Sequence, residues 1–135
     1  KRLTKIAVDW RTLPTDASDW VAVRDETTKL VWTAGEMKAM KWKAAVKWVE
    51  KLDHWAADGA FPTVEELFCL ADRTRVNPAI DTAYFAGCKG GWYWSSTVDA
   101  ESPADSAWFV RFNNGYSGWA PQDCEGLVRA VRAGQ

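Results

Sequence analysis

The chain has 135 residues, 17 Lys+Arg against 18 Asp+Glu, and a net charge of −1. That length fits one domain with one main core. The charge balance excludes the basic excess a nucleic-acid module needs to neutralise phosphates, and no window approaches the ~18 uninterrupted apolar residues of a membrane span. Ten Trp stand against seven Leu and two Ile, whereas ordinary domains are led by Leu and Ala. Few aliphatics signal disorder only when net charge is also high. The reading is therefore a soluble globular domain whose apolar mass is aromatic side chains and Ala.

Residues 3–10 (LTKIAVDW) alternate loosely and read as a strand or extended arm, followed by a polar turn region around Pro14. A single domain over 1–135 is expected, with 1–19 as an N-terminal arm. Residues 20–24 (WVAVR) and 30–33 (LVWT) read as strands, and the polar stretch Asp25–Lys29 between them has hairpin-loop length.

Over residues 36–57 the period changes. Ala45, Trp48, Val49, Leu52, Trp55 and Ala56 recur at spacings of three and four, with Lys43, Lys47, Glu50, Lys51 and His54 on the other side. This predicts an amphipathic helix. Its Lys excess reads as a solvated face rather than an anion-binding patch. After the break at 59–62 (GAFP), Thr63-Val64-Glu65-Glu66 has the capping-box pattern. Val64, Leu67, Phe68 and Ala71 then predict a second helix to about Asp72. Residues 73–91, with Asn77-Pro78 and three glycines, read as a long irregular connection.

Residues 92–97 (WYWSST) and 107–113 (AWFVRFN) alternate as paired strands around an acidic loop, Asn114-Gly115 is a turn dipeptide, and 127–132 (LVRAVR) is the last strand. Strands, two helices, then strands make an α+β fold with an antiparallel sheet. The lone His54 and the lack of GxSxG, HExxH or P-loop patterns leave no standard catalytic set. No enzyme and no cofactor is expected. Cys69, Cys88 and Cys124 lack CxxC spacing, so no zinc site is expected. Two readings of the cysteines stay open: small buried apolar residues, or a Cys88–Cys124 bridge.

The stretch 113–123 combines Gly, Tyr, Ser, Asn and Trp, the composition of a binding surface with rigid aromatic anchors beside adaptable polar groups. Asn113, Asn114, Tyr116, Ser117, Trp119, Gln122 and Asp123 are the candidate ligand-binding residues. Tyr116 and Trp119 would stack on a sugar face or fill a protein pocket. The competing reading of Trp119 is core packing. Trp48, Trp94 and Trp108 are expected in the core.

The ordered set LVWT (30–33), AAVKWVEKL (44–52), FPTVEEL (61–67), YWSST (93–97), AWFVRFNNG (107–115) and VRAVR (128–132) resembles the DUF1566 family, known for the C-terminal domain of the Legionella collagen-like adhesin. The resemblance covers roughly residues 20–132 and implies a C-type-lectin-like fold with two helices and long irregular loops. Ala60 stands where the family usually has Arg, and Val49 and Ala130 stand where many members carry Cys. Loss of both Cys together is what a missing bridge would produce, and it suits folding in a reducing compartment. The resemblance implies a recognition module, as in adhesin heads and phage receptor-binding parts. Its partners would be a cell-surface glycan or protein receptor and other subunits of a particle or fibre, with no nucleic acid and no membrane insertion. A trimer is one expected assembly. The implied location is a virion tail or an extracellular surface. No signal peptide is visible, although Lys1 in place of Met leaves room for a removed leader. The alternative is a structural assembly protein that docks a neighbouring subunit through an aromatic face.

Overall fold

The computed structural model describes residues 3–34, 39–51, 61–85, 88 and 91–133. In chain order these hold β1 (Leu3–Ile6), β2 (Thr12–Leu13), β3 (Ala22–Asp25), β4 (Leu30–Thr33), β5 (Met40–Lys41), α1 (Trp42–Glu50), α2 (Val64–Leu70), β6 (Trp92–Val98), β7 (Ser106–Arg111), β8 (Ser117–Pro121), β9 (Glu125–Gly126) and β10 (Val131–Ala133). The strand pairings are antiparallel and form sheets ordered β10-β4-β3-β1-β2, β5-β9 and β6-β7-β8. The fold is α+β, as the sequence predicts.

The predicted hairpin is present. Ala22 faces Thr33 and Asp25 faces Leu30, and the Lys29 N–H donates to the Asp25 carbonyl at 2.7 Å. The β1 strand lies between β3 and β2 rather than reaching away as an arm. Lys5 is buried there, its Nζ donating to the Thr15 and Ala17 carbonyls and standing 3.8 Å from the Trp20 ring centroid.

The first helix differs from its predicted span. Of the predicted 36–57, α1 takes 42–50, and residues 35–38 and 52–60, with Leu52, His54, Trp55, Ala56 and Ala60, lie outside the described residues. Met40–Lys41 is extended because its backbone pairs with Gly126 and Glu125 of β9. A strand ladder thus claims two residues that helical periodicity would have included. Ala45 and Val49 are buried, and Trp48 packs half-buried against the core. The second helix begins as expected: Thr63 accepts from the Glu66 N–H and the Glu66 carboxylate accepts from the Thr63 N–H.

Two apolar clusters lie on opposite faces of the β6-β7-β8 sheet. One joins Leu67 and Leu70 of α2 to Tyr93, Val110, Phe112, Val23 and Trp32. The other joins Ala45 and Val49 of α1 to Trp94, Phe109, Val128 and Ala130. Val49 and Ala130, the positions where the family resemblance places cysteines, therefore meet in one cluster as small apolar side chains. The irregular connection contributes to the core as well. Ala79, Ile80 and Phe85 are buried, and the Ala79 N–H donates to the Phe112 carbonyl at 2.6 Å.

The segment 125–133 joins all three sheets. Glu125 and Gly126 pair with β5, the Leu127 N–H donates to Trp92 and its carbonyl accepts from Trp94, and Val131–Ala133 pair with β4. Arg129 sits in the middle with no exposed surface. Its Nη1 donates to the Thr33 carbonyl at 2.7 Å and its Nη2 to the Tyr93 hydroxyl at 3.3 Å. The guanidinium carbon lies 4.8 Å from the Phe85 ring centroid and 5.1 Å from that of Tyr93.

Two expectations follow. Arg129→Met keeps most of the apolar stem but leaves the Thr33 carbonyl buried without this donor, and should lower unfolding stability by about 1–3 kcal/mol in urea titrations. Glu26 gives a pH signature. Its carboxylate accepts from the Thr4 hydroxyl at 2.6 Å, Arg24 Nε at 2.8 Å and Lys29 Nζ at 3.3 Å. The Thr4 hydrogen bond above all, then Arg24, lowers its pKa from 4.5 to about 2. A depressed carboxylate pKa stabilises the fold above the unfolded value and loses that contribution as pH falls towards the folded one. Screening at this partly wetted site limits the gain to about 1 kcal/mol. Glu26→Gln should therefore narrow the difference in thermal midpoint between pH 6 and about pH 2–3.

Candidate functional site

The sequence reading places a turn at Asn114-Gly115 and no strand in the residues after it, but the centre of 113–123 is the strand β8. Gly118 and Pro121 weaken the local strand signal, while the preceding turn sets the register. Gly115 adopts φ +83°, its N–H donates to the Arg111 carbonyl, and Asn114 Oδ1 accepts from the Tyr116 N–H at 3.1 Å. That geometry favours glycine, and a Cβ there would also stand 3.0 Å from Arg73 Cγ.

Alternation along β8 decides which side chains are presented. Gly118 pairs with Phe109, and a Cβ on Gly118 would lie 2.9 Å from Phe109 Cζ. The phenyl ring therefore covers that position, and Ser117 and Trp119 turn to the opposite face. Trp119 pairs with the half-buried Trp108 and stays 57 % exposed. Among the described strand tryptophans it is the most exposed, whereas Trp94 is completely buried.

On the Ser117 side, α2 and β8 border a groove of about 320 Å³ lined by Val64, Glu65, Phe68, Cys69 and Ser117. The capping box fixes where α2 starts, and Leu67 and Leu70 bury its inner side. Phe68, expected on that inner stripe, is instead 41 % exposed at the groove. The Arg73 guanidinium lies 3.6 Å from the Phe68 ring centroid, and its Nη2 donates to the Gly115 carbonyl at 3.3 Å. Arg73 thus ties the helix end to the turn that launches β8.

Of the seven candidate residues, Ser117 and Trp119 share this face. Tyr116 is 65 % exposed but lies an odd number of residues from Trp119. The β7–β8 ladder reaches Tyr116, whose carbonyl accepts from the Arg111 N–H at 2.7 Å, so the two rings project to opposite faces. Asn113 and Asn114 build the turn, the Asn113 carbonyl accepting from the Asn77 N–H at 2.8 Å. Gln122 is buried, with Nε2 donating to the Pro103 and Ser106 carbonyls at 3.1 and 3.3 Å, so its side chain clamps the acidic loop. Asp123 lines a separate cleft of about 280 Å³ with Lys41, Lys43, Ala104, Asp105 and Gln122.

Sequence reasoning missed Glu65, Phe68, Cys69 and Arg73. Of these, Cys69 falls outside the helical spacing, but Phe68 stands four residues after Val64 and reads as part of the inner stripe, so its exposure had no sequence signal and follows from the packing of Leu67 and Leu70. Cys88 and Cys124 are free thiols. Cys88 is buried beside the Tyr93 hydroxyl at 3.8 Å while Cys69 and Cys124 are exposed, so the Cys88–Cys124 bridge is not formed. Among the described residues no helix is long and apolar enough to cross a membrane.

This sorting of the tryptophans can be measured. Trp119→Ala should change unfolding free energy by no more than about 0.5 kcal/mol, as for a surface site. Trp94→Ala should cost about 3–5 kcal/mol, as for a large core aromatic. Chemical denaturation of both variants checks the contrast.

The family model of the Lcl C-terminal domain matches residues 21–132 of the chain. No curated protein matches it.

Proposed function

The chain belongs to the Lcl C-terminal domain family, and from that premise we propose that it is a ligand-recognition module of a cell or particle surface. Membership in the family supports an adhesin-like, surface-associated domain. The proposed partner is a cell-surface glycan or protein receptor, and the proposed carrier is an adhesin or a phage tail fibre. The same membership supports reading the α+β fold as C-type-lectin-like. The role is binding, without chemistry on the ligand.

The observation that carries this reading is the outward Trp119 on the face that holds the α2–β8 groove. A domain short of Leu and Ile gains from burying every large ring, yet Trp119 and Phe68 both keep a substantial exposed surface. Rigid aromatics cost little conformational entropy on binding and offer broad apolar contact. Around them stand the Ser117 hydroxyl, the Glu65 carboxylate and Arg73, the polar groups that would fix a ligand's orientation. Sugar rings, apolar on one face and hydroxyl-bearing at the edge, match such a surface, and so does a receptor loop with one apolar anchor.

The test is binding of the chain to a glycan array and to whole cells, repeated with Phe68→Ala and Trp119→Ala. Each substitution should weaken binding at least tenfold, about 1.4 kcal/mol, with the thermal midpoint little changed. Unchanged binding by both variants would refute this face as the recognition surface.

A further inference from the structure

The outer edge of β8 is also available. Among the described residues β8 ends its sheet, with β7 on one side and no strand on the other. The ladder shows which backbone groups point outward. Arg111 N–H donates to the Tyr116 carbonyl and Gln122 N–H to the Asp105 carbonyl, so the even-numbered residues of this stretch face β7. By alternation Ser117 and Trp119 direct their N–H and C=O away from the sheet. Proteins usually blunt such an edge with charge, a bulge or proline. Here the sequence Ser-Gly-Trp-Ala-Pro carries no charge, and Pro121 removes a donor only at the far end.

We propose that the partner for this edge is a second copy of the chain, paired antiparallel through β8 about a two-fold axis at Gly118. In that register Ser117 faces Trp119 of the partner subunit. Each pair of residues exchanges both N–H···O bonds, so the four outward donors and acceptors of one copy match those of the other. The two β6-β7-β8 sheets then become one six-stranded sheet. Trp119 and Trp119 of the partner subunit are diagonal neighbours on the same face, within reach of large rings. With Trp108 behind each, the face carries four tryptophans in a row across the axis.

Charge favours this direction of pairing. Arg73 and Arg111 lie at the start of β8, and Asp123 and Glu125 lie just past its end. The two-fold axis sets the basic end of each strand beside the acidic end of the other. Glu65 beside Ser117 at the basic end, and Lys41 and Lys43 in the cleft of Asp105 and Asp123 at the acidic end, reduce this attraction without reversing its sense. A five-residue edge is small beside a standard interface, so the dimer should be a weak, concentration-dependent one. It would double the α2–β8 groove on one surface. The pairing shares the exposed Trp119 with the receptor reading, but its hydrogen bonds come from the β8 backbone, whereas only receptor binding uses Phe68 in the groove.

The experiment combines sedimentation and amide hydrogen exchange on the chain across a concentration series. The mass should double from 15.1 kDa as concentration rises. The Ser117 and Trp119 amides should gain protection with that transition, while Gly118 and Ala120, already bonded within the sheet, change less. Ser117→Pro removes an outward donor but no bond to β7, and Trp119→Lys sets two like charges across the axis. Both should weaken association at least tenfold and keep the monomer's circular dichroism. A chain that stays at 15.1 kDa to millimolar concentration overturns the proposal. So does any dimer or trimer whose Ser117 and Trp119 amides exchange as fast as in the monomer. Loss of cell binding in Phe68→Ala with dimerisation intact would separate the two readings.

Discussion

The buried guanidinium of Arg129 is the constraint around which the molecule is arranged. A cation removed from water is costly unless hydrogen bonds and polarisable neighbours replace its hydration. Arg129 draws on β4 through the Thr33 carbonyl, on β6 through the Tyr93 hydroxyl, and on the irregular connection through the Phe85 ring. Its place on the chain matters equally. It lies between Leu127, which bonds to β6, and Val131, which pairs with β4. One side chain thus fixes how two sheets meet, and the aromatic connection closes over it.

The tryptophans solve a related problem. With few branched aliphatics, the core takes its volume from large rings, and each indole also brings a donor that needs a partner once buried. Trp94 donates to the Met40 carbonyl at 3.0 Å, Trp42 to the Ser95 carbonyl at 2.8 Å, and Trp20 to the Tyr84 carbonyl at 2.7 Å. Each bond spans more than fifty residues of sequence and joins elements no ladder connects. The packing is directional too. Trp92 meets Trp94 edge-on at 4.9 Å and Phe109 at 4.7 Å, building the cluster that Gly118 must leave room for. Phe109 therefore holds the inner side of β8 and leaves Trp119 the outer.

Presentation at the groove thus follows from burial elsewhere. The capping box starts α2 at a defined residue, its inner leucines lock its rotation, and Phe68 then has nowhere to point but out. Arg73 joins that helix to the Gly115 turn, so one side chain bridges the helix end and the start of the strand. A recognition surface gains from such pre-organisation, because less freedom is lost when a ligand arrives.

The sequence alone determined the local elements wherever a short-range rule governs. Thr63 and Glu66 sit within one helical turn, LVWT alternates within one strand, and Asn114-Gly115 carries its own turn geometry. The α+β order and the family resemblance over residues 20–132 followed from those same short patterns. The tertiary structure decided what depends on distant partners. Met40–Lys41 left the helical pattern for a ladder with residues 125–126, and residues 117–121 became a strand because β7 offered its edge. Gln122 passed from candidate ligand contact to buried clamp because two loop carbonyls needed its amide. Tyr116 and Trp119, three residues apart, went to opposite faces because an extended chain reverses its side chains at every residue. Composition counts ten tryptophans, but which of them meets water is set by packing between segments that the sequence holds far apart.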